Sequence, residues 1–129
     1  MKFLHLFLII IFLLFIPIRS YSSLSNNCSE EMITLLKQNP SSVVIHVKGL
    51  VCSSCAIGIR IKLSKLNGVD ISKFSRGIKL DSSNQYVILA VNEEINFDEI
   101  FKSIQKAGYD PMHLCFFKND KIEKLSFNS

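Results

Sequence analysis

At Gly49 the hydrophobic period of this chain changes from two to about 3.6, and that switch constrains the fold more than any other feature. Before it, SVVIHVK at Ser42–Lys48 alternates Val43, Ile45 and Val47 onto one strand face, with Val44, His46 and Lys48 on the other. After it, Cys55, Ile59, Leu63 and Leu66 recur at helical spacing and predict a helix over 53–66. Asn67-Gly68 stops that helix, because glycine tolerates the left-handed conformation of a helix end. A second strand is predicted over 74–80, a turn at Asp81-Ser82-Ser83-Asn84, and a third strand over 86–91. Asn96 then caps a helix over 97–107, with Glu99 placed to reach back as in a capping box. Phe97 or Phe101, with Ile100 and Ile104, form its buried face, and Gly108 ends it. MHLCFF at 112–117 reads as a fourth strand.

The order β-α-β-β-α-β is that of the split βαβ, ferredoxin-like α+β sandwich: a four-stranded antiparallel sheet with two helices on one face. A short accessory helix precedes it. Ser29 caps that helix, Glu30 and Glu31 suit its positive end, Met32, Leu35 and Leu36 share a face, and Pro40 ends it.

Ahead of this lies an apolar run at 3–18, interrupted by His5, with Lys2 before it and Arg19, Ser20, Tyr21, Ser22 and Ser23 after it. A basic start, an apolar stretch and small residues form the plan of a secretory signal, with cleavage placed after Ser22. The 16-residue run is shorter than the roughly 20 residues a spanning helix needs, so an uncleaved membrane anchor at 3–18 is the alternative. The predicted organisation is a signal peptide at 1–22, a leader with a short helix at 23–41, one domain at 42–118 and a polar tail at 119–129. The expected location is outside the cytoplasm, periplasmic if the source is a Gram-negative bacterium. Removing Lys2 and Arg19 lowers the basic count from 15 to 13 against 11 acids, so the net charge falls from +4 to +2. That is too mild for a nucleic-acid partner. No Ser-His-Asp set, carboxylate pair or glycine-rich phosphate loop is present, so an enzyme is not expected.

The chemistry concentrates in VKGLVCSSCA at 47–56. The four cysteines of an exported chain meet an oxidising compartment, and four allow three full pairings. The CxxC spacing makes Cys52 and Cys55 one unit and leaves Cys28 and Cys115 as a candidate disulfide; Cys115 also reads as a small buried hydrophobe. Four readings of the CxxC compete. A structural disulfide closes so short a loop that it stabilises little. Structural zinc usually takes four protein ligands, and His46 is a third ligand by residue type only, read as facing away from the helices at the end of its strand far from the loop. Thioredoxin-like exchange starts with a CxxC after a strand, but this chain has no Trp, and two strands separate its predicted helices. A two-thiolate clamp suits a soft, low-coordinate ion, and a helix N-terminus favours thiolate. Met112, His113 and Cys115 outline a second metal site, against the plainer reading of Met112 and Leu114 in the core.

GLVCSSCAIGIRIKLSKLNGV resembles the metal loop and first helix of heavy-metal-associated domains, a family that includes copper chaperones, metal-ATPase amino-terminal domains and the mercuric-ion periplasmic protein. Gly49, Cys52, Cys55, Ala56, Ile59, Leu63, Leu66, Gly68 and Val69 fall on the family pattern, and Ala107-Gly108-Tyr109 matches its closing feature. The resemblance spans about 43–117. It implies that Cys52 and Cys55 hold one soft ion, Cu(I) ahead of Hg(II) or Zn(II), and pass it by ligand exchange to a metal transporter or another metal-binding domain. It also implies that Leu50, where the family has Met, plugs the loop from the core side, and that Tyr109 shields the site without ligating. Lys62, Ile57 and Ile61 depart from the pattern; Ile57 and Ile61 either form a docking patch or pack under the accessory helix. The expected state is a monomer.

Overall fold

The computed structural model describes residues 2–14, 28–52, 56–92 and 94–127. The predicted signal cleavage point and Cys55 lie outside them. Helix α1 is Lys2–Leu14, α2 Glu30–Gln38, α3 Ile57–Ser64 and α4 Phe97–Lys106. Strands are β1 Ser42–Lys48, β2 Ile78–Asp81, β3 Tyr86–Ala90, β4 Asp110–Lys118 and β5 Lys121–Ser126. The sheet is antiparallel in the order β2-β3-β1-β4-β5. Its first four strands with α3 and α4 are the ferredoxin-like βαββαβ unit.

Alternation along the strands builds two cores. Val43, Ile45 and Val47 of β1, Val87 and Leu89 of β3 and Leu114 of β4 meet Ile59 and Leu63 of α3 and Ile100, Phe101 and Ile104 of α4. On the opposite face Val44, Ile88, Tyr86 and Cys115 meet Met32 and Leu36 of α2. The accessory helix therefore makes a third layer, and it does not cover Ile57 or Ile61. Its N-terminus is tied to that face: the Ser29 hydroxyl accepts from the Met32 amide at 3.2 Å and lies 2.7 Å from the Tyr86 hydroxyl. In α4, Asn96 caps by accepting from the Asp98 and Glu99 amides at 3.0 and 3.4 Å. No described helix is long and apolar enough to cross a membrane.

Three sequence expectations change. The segment read as a polar tail folds into β5, so the sheet has five strands instead of four. Asn119 and Asp120 take φ of 51° and 63°, the two-residue hairpin conformation that Asn and Asp tolerate, and β5 pairs with β4 from Lys118↔Lys121 to His113↔Ser126. Phe127 then stacks on Phe101 with ring centroids 5.1 Å apart. Lys121, Glu123 and Lys124 charge the new edge and discourage further pairing. Second, the strand expected over 74–80 starts only at Ile78, because Phe74 and Arg76 sit at φ 54° and 55° in a tight turn. Asp70 holds the start of that turn by accepting from the Ser72 amide at 3.1 Å. Third, β4 opens earlier than read, at Asp110. Its register slips between His46 and Val47, which lets Pro111 into the strand and turns Met112 outward, 43% exposed instead of in the core.

Gly77 closes the same turn at φ +85°, and a Cβ there would lie 2.6 Å from Val69 Cγ1 and 2.9 Å from the Asp70 carbonyl oxygen. The backbone oxygen cannot rotate away. Gly77→Ala is expected to cost about 2–4 kcal/mol, from the left-handed backbone and the overpacking together. Urea unfolding checks this: a loss below about 1 kcal/mol would mean that the turn relaxes freely.

Candidate metal centre

β1 ends at Lys48, opposite Asp110 of β4. Gly49 then turns the chain at φ +92°, a conformation that favours glycine. Leu50 is fully buried in the main core, and so is Ala56, the residue before α3. These two apolar anchors pin the chain on either side of the cysteine loop. Val51 is 75% exposed and Cys52 half-buried. Cys55 lies outside the described residues. Of the helix predicted over 53–66 the structure gives α3 at Ile57–Ser64, and 53–55 lie outside the described residues.

Tyr109, predicted to stand beside this loop, is half-buried against the main core. Its Cδ1 lies 3.8 Å from where a Cβ on Gly49 would sit, so its ring covers the start of the loop. Ala107 Cβ lies 3.7 Å from where a Cβ on Gly58 would sit, so the end of α4 packs beside the start of α3. Ile57 and Ile61, 56% and 42% exposed, stand one turn apart on the outer side of α3. Among the described residues no group of three His, Cys, Asp or Glu converges on a metal position.

Cys28 is bonded to Cys115 across 87 residues, with an S–S distance of 2.04 Å. Cys115 is fully buried beside Met32, on the sheet face opposite the main core. Its sulfur is therefore not available to the second metal site outlined from Met112, His113 and Cys115. A cleft lined by Pro40, Val43, Ile95, Phe97 and Phe116 lies at the far end of β1 from the cysteine loop.

The histidines fall differently from the sequence reading. His46 faces away from α3 and α4 as expected, but it stands three residues before Gly49, at the loop end of β1. It is directly opposite His113 of β4, with ring centroids 5.3 Å apart, and its other flank meets Tyr86 edge-on at 5.7 Å. Burial pulls the His113 pKa from the ordinary 6.5 down to about 4, with the Lys124 charge and then His46 adding to it. Burial also lowers His46. Between pH about 4 and 6.5 the unfolded chain thus takes up a proton that folded His113 refuses. This contribution to stability is complete above pH 6.5 and is lost as pH falls through that window. After discounting for solvent, it is expected to be about 1–2 kcal/mol. His113→Gln should flatten the pH dependence of Tm between 6.5 and 4; an unchanged slope would assign the acid sensitivity elsewhere.

The architecture is a ferredoxin-like α+β sandwich with a cysteine-bearing loop between its first strand and first core helix. No family model matches the chain. Over 67 residues it is 34% identical to a copper-transporting ATPase of Helicobacter pylori, a match that covers 51% of this chain and 8% of that protein. The chain thus spans under a tenth of the length of the curated relative it matches. Among solved structures it is similar to the CopZ metallochaperone, at 19% identity and TM-score 0.47 over 56% of this chain and 100% of that one. It is also similar to the yeast copper transporter domain Ccc2a in its apo and Cu(I)-loaded states, at 24% identity and TM-score 0.45 over 55% and 90%. Oxidized MerP from Ralstonia metallidurans CH34 aligns at 21% identity and TM-score 0.44 over 54% and 90%.

Proposed function

We propose that this chain is an exported soft-metal carrier of the heavy-metal-associated type, holding one Cu(I) between Cys52 and Cys55. The observation that carries the reading is the loop itself: a half-buried Cys52 in a GLVCSSCA turn anchored by buried Leu50 and Ala56, with Tyr109 over its start. The 34% identity to a copper-transporting ATPase supports copper over Hg(II) or Zn(II). Sulfur donors at low coordination number also favour Cu(I).

Transfer needs no redox step. A thiolate of the receiving protein adds to the bound ion as a third ligand, one cysteine of this chain leaves and takes a proton, and the second follows. The ion keeps its charge, and nothing is catalysed. Val51, Ile57 and Ile61 surround the loop with exposed apolar surface on which the receiver, a metal transporter or another metal-binding domain, would seat. The chain works as a monomer. A Cys28–Cys115 disulfide fits an oxidising compartment, periplasmic in a Gram-negative cell.

The test is an anaerobic Cu(I) competition titration against a colorimetric chelator. It uses the full chain in detergent, mildly reduced until two thiols are counted. One equivalent held against the chelator is the expected result. Failure to compete, together with turnover of a disulfide substrate by the metal-free protein, would replace this reading with thiol–disulfide exchange through the same cysteines.

A further inference from the structure

His46 and His113 stand on the sheet face opposite α3 and α4, and neither belongs to the copper reading. They are register partners on adjacent antiparallel strands, so their Cα positions are fixed by the sheet. Their ring centroids are 5.3 Å apart at an interplanar angle of 56°. Two imidazoles that share an ion at about 2.0–2.1 Å from each nitrogen place their rings at a comparable separation, so small side-chain rotations bring one nitrogen of each onto a common point. Both rings are half-buried, so an ion can reach them from solvent. Tyr86 braces His46 from behind, and its hydroxyl is engaged by Ser29. The Cys28–Cys115 bond two residues along β4 and the packing of α2 lie on the same sheet face.

We propose that His46 and His113 form a second metal site, a bis-imidazole clamp for a borderline divalent ion, Cu(II) foremost. Imidazole suits Cu(II), Zn(II) and Ni(II), and Cu(II) stands highest in the affinity order for a nitrogen site. With no third His, Cys, Asp or Glu beside the pair among the described residues, water completes the shell and binding is reversible. Imidazole, ordinarily with a pKa near 6.5, is mostly neutral at neutral pH, the state a ligand needs. Lys124 is the charge that acts on His113 from β5, and it opposes a bound cation. The site differs from the cysteine pair in donor chemistry and in the oxidation state of copper it accepts.

The experiment uses the full chain in detergent carrying Cys52→Ser and Cys55→Ser, which separates this proposal from the Cu(I) reading. Aqueous Cu(II), buffered with glycine, is titrated while Tm and the EPR spectrum are followed. One saturable equivalent with nitrogen hyperfine structure is expected, with a Tm rise of about 6–11 °C at tenfold excess over Kd. Both should vanish in His46→Gln and in His113→Gln. Lys124→Met should tighten binding by about two- to fivefold. The metal-free Gln variants are compared by circular dichroism. Should one of them not fold, selective broadening of the two imidazole proton resonances by Cu(II) in the parent gives the same answer. Binding that persists in the folded Gln variants, or no saturable Tm rise, would overturn the proposal.

Discussion

Replacing Cys52 and Cys55 together by serine is expected to lower Cu(I) affinity by at least about 1,000-fold, on the order of 4 kcal/mol, and to leave the fold intact. Loss of groups that merely orient a metal ligand typically costs 10- to 100-fold, so loss of both ligands must cost more. Serine keeps the volume of cysteine but offers a hard oxygen that stays protonated near neutrality, which suits Cu(I) poorly. Stability should barely change, because Leu50 and Ala56 anchor the loop in the core. Each single variant should bind with intermediate affinity if an outside thiol supplies the second ligand, which is the arrangement ligand exchange requires. Competition against the chelator, run beside urea unfolding, reads both effects. Equal losses of binding and stability would mean that the cysteines are structural. Undiminished binding would move the ion away from this loop.

The second large effect is expected on the opposite face. Cys28→Ala/Cys115→Ala should lower stability by about 3–5 kcal/mol. A cross-link across 87 residues restricts the unfolded chain strongly: the loop-entropy relation gives about 4.6 kcal/mol, an upper value because unfolded chains retain structure. Cys115 is also fully buried, so its sulfur leaves a small void beside Met32. At about 4–8 °C per kcal/mol for a domain of this size, Tm should fall by roughly 15–30 °C. Hydrogen exchange should accelerate first in α2, which the bond ties to β4. Cu(I) binding at the cysteine loop should persist at temperatures where the variant stays folded. A fall of under about 5 °C would show that Met32 and Leu36 alone hold α2 down.

Much of the architecture was readable because its signals are local. Val43, Ile45 and Val47 alternate over seven residues, and Ile100, Phe101 and Ile104 repeat over one helical face, so β1 and α4 follow from period alone. Asn96 and Ser29 announce helix starts through their own side chains. The fifth strand carries a local signal too: Asn119-Asp120 is a hairpin pair, but Lys121–Ser126 is polar enough to resemble a tail. The late start of β2 was not legible. Phe74 is a good strand residue by type, and only the turn around Asp70 and Gly77 forces it to φ 54°.

By itself the sequence determined the βαββαβ order of strands and helices and the place of the CxxC between β1 and the first core helix. These depend on spacing within one element, which neighbouring residues encode. Tertiary structure alone decided that α2 lies across the sheet from α3 and α4 and that His46 faces His113, and it bonded Cys28 to Cys115, the pair the sequence left as a candidate disulfide. Each of these joins residues that are distant along the chain, by packing for α2 and by strand register for the histidines. The slip between His46 and Val47 sets that register, and no local pattern in either strand records which residue will stand opposite which.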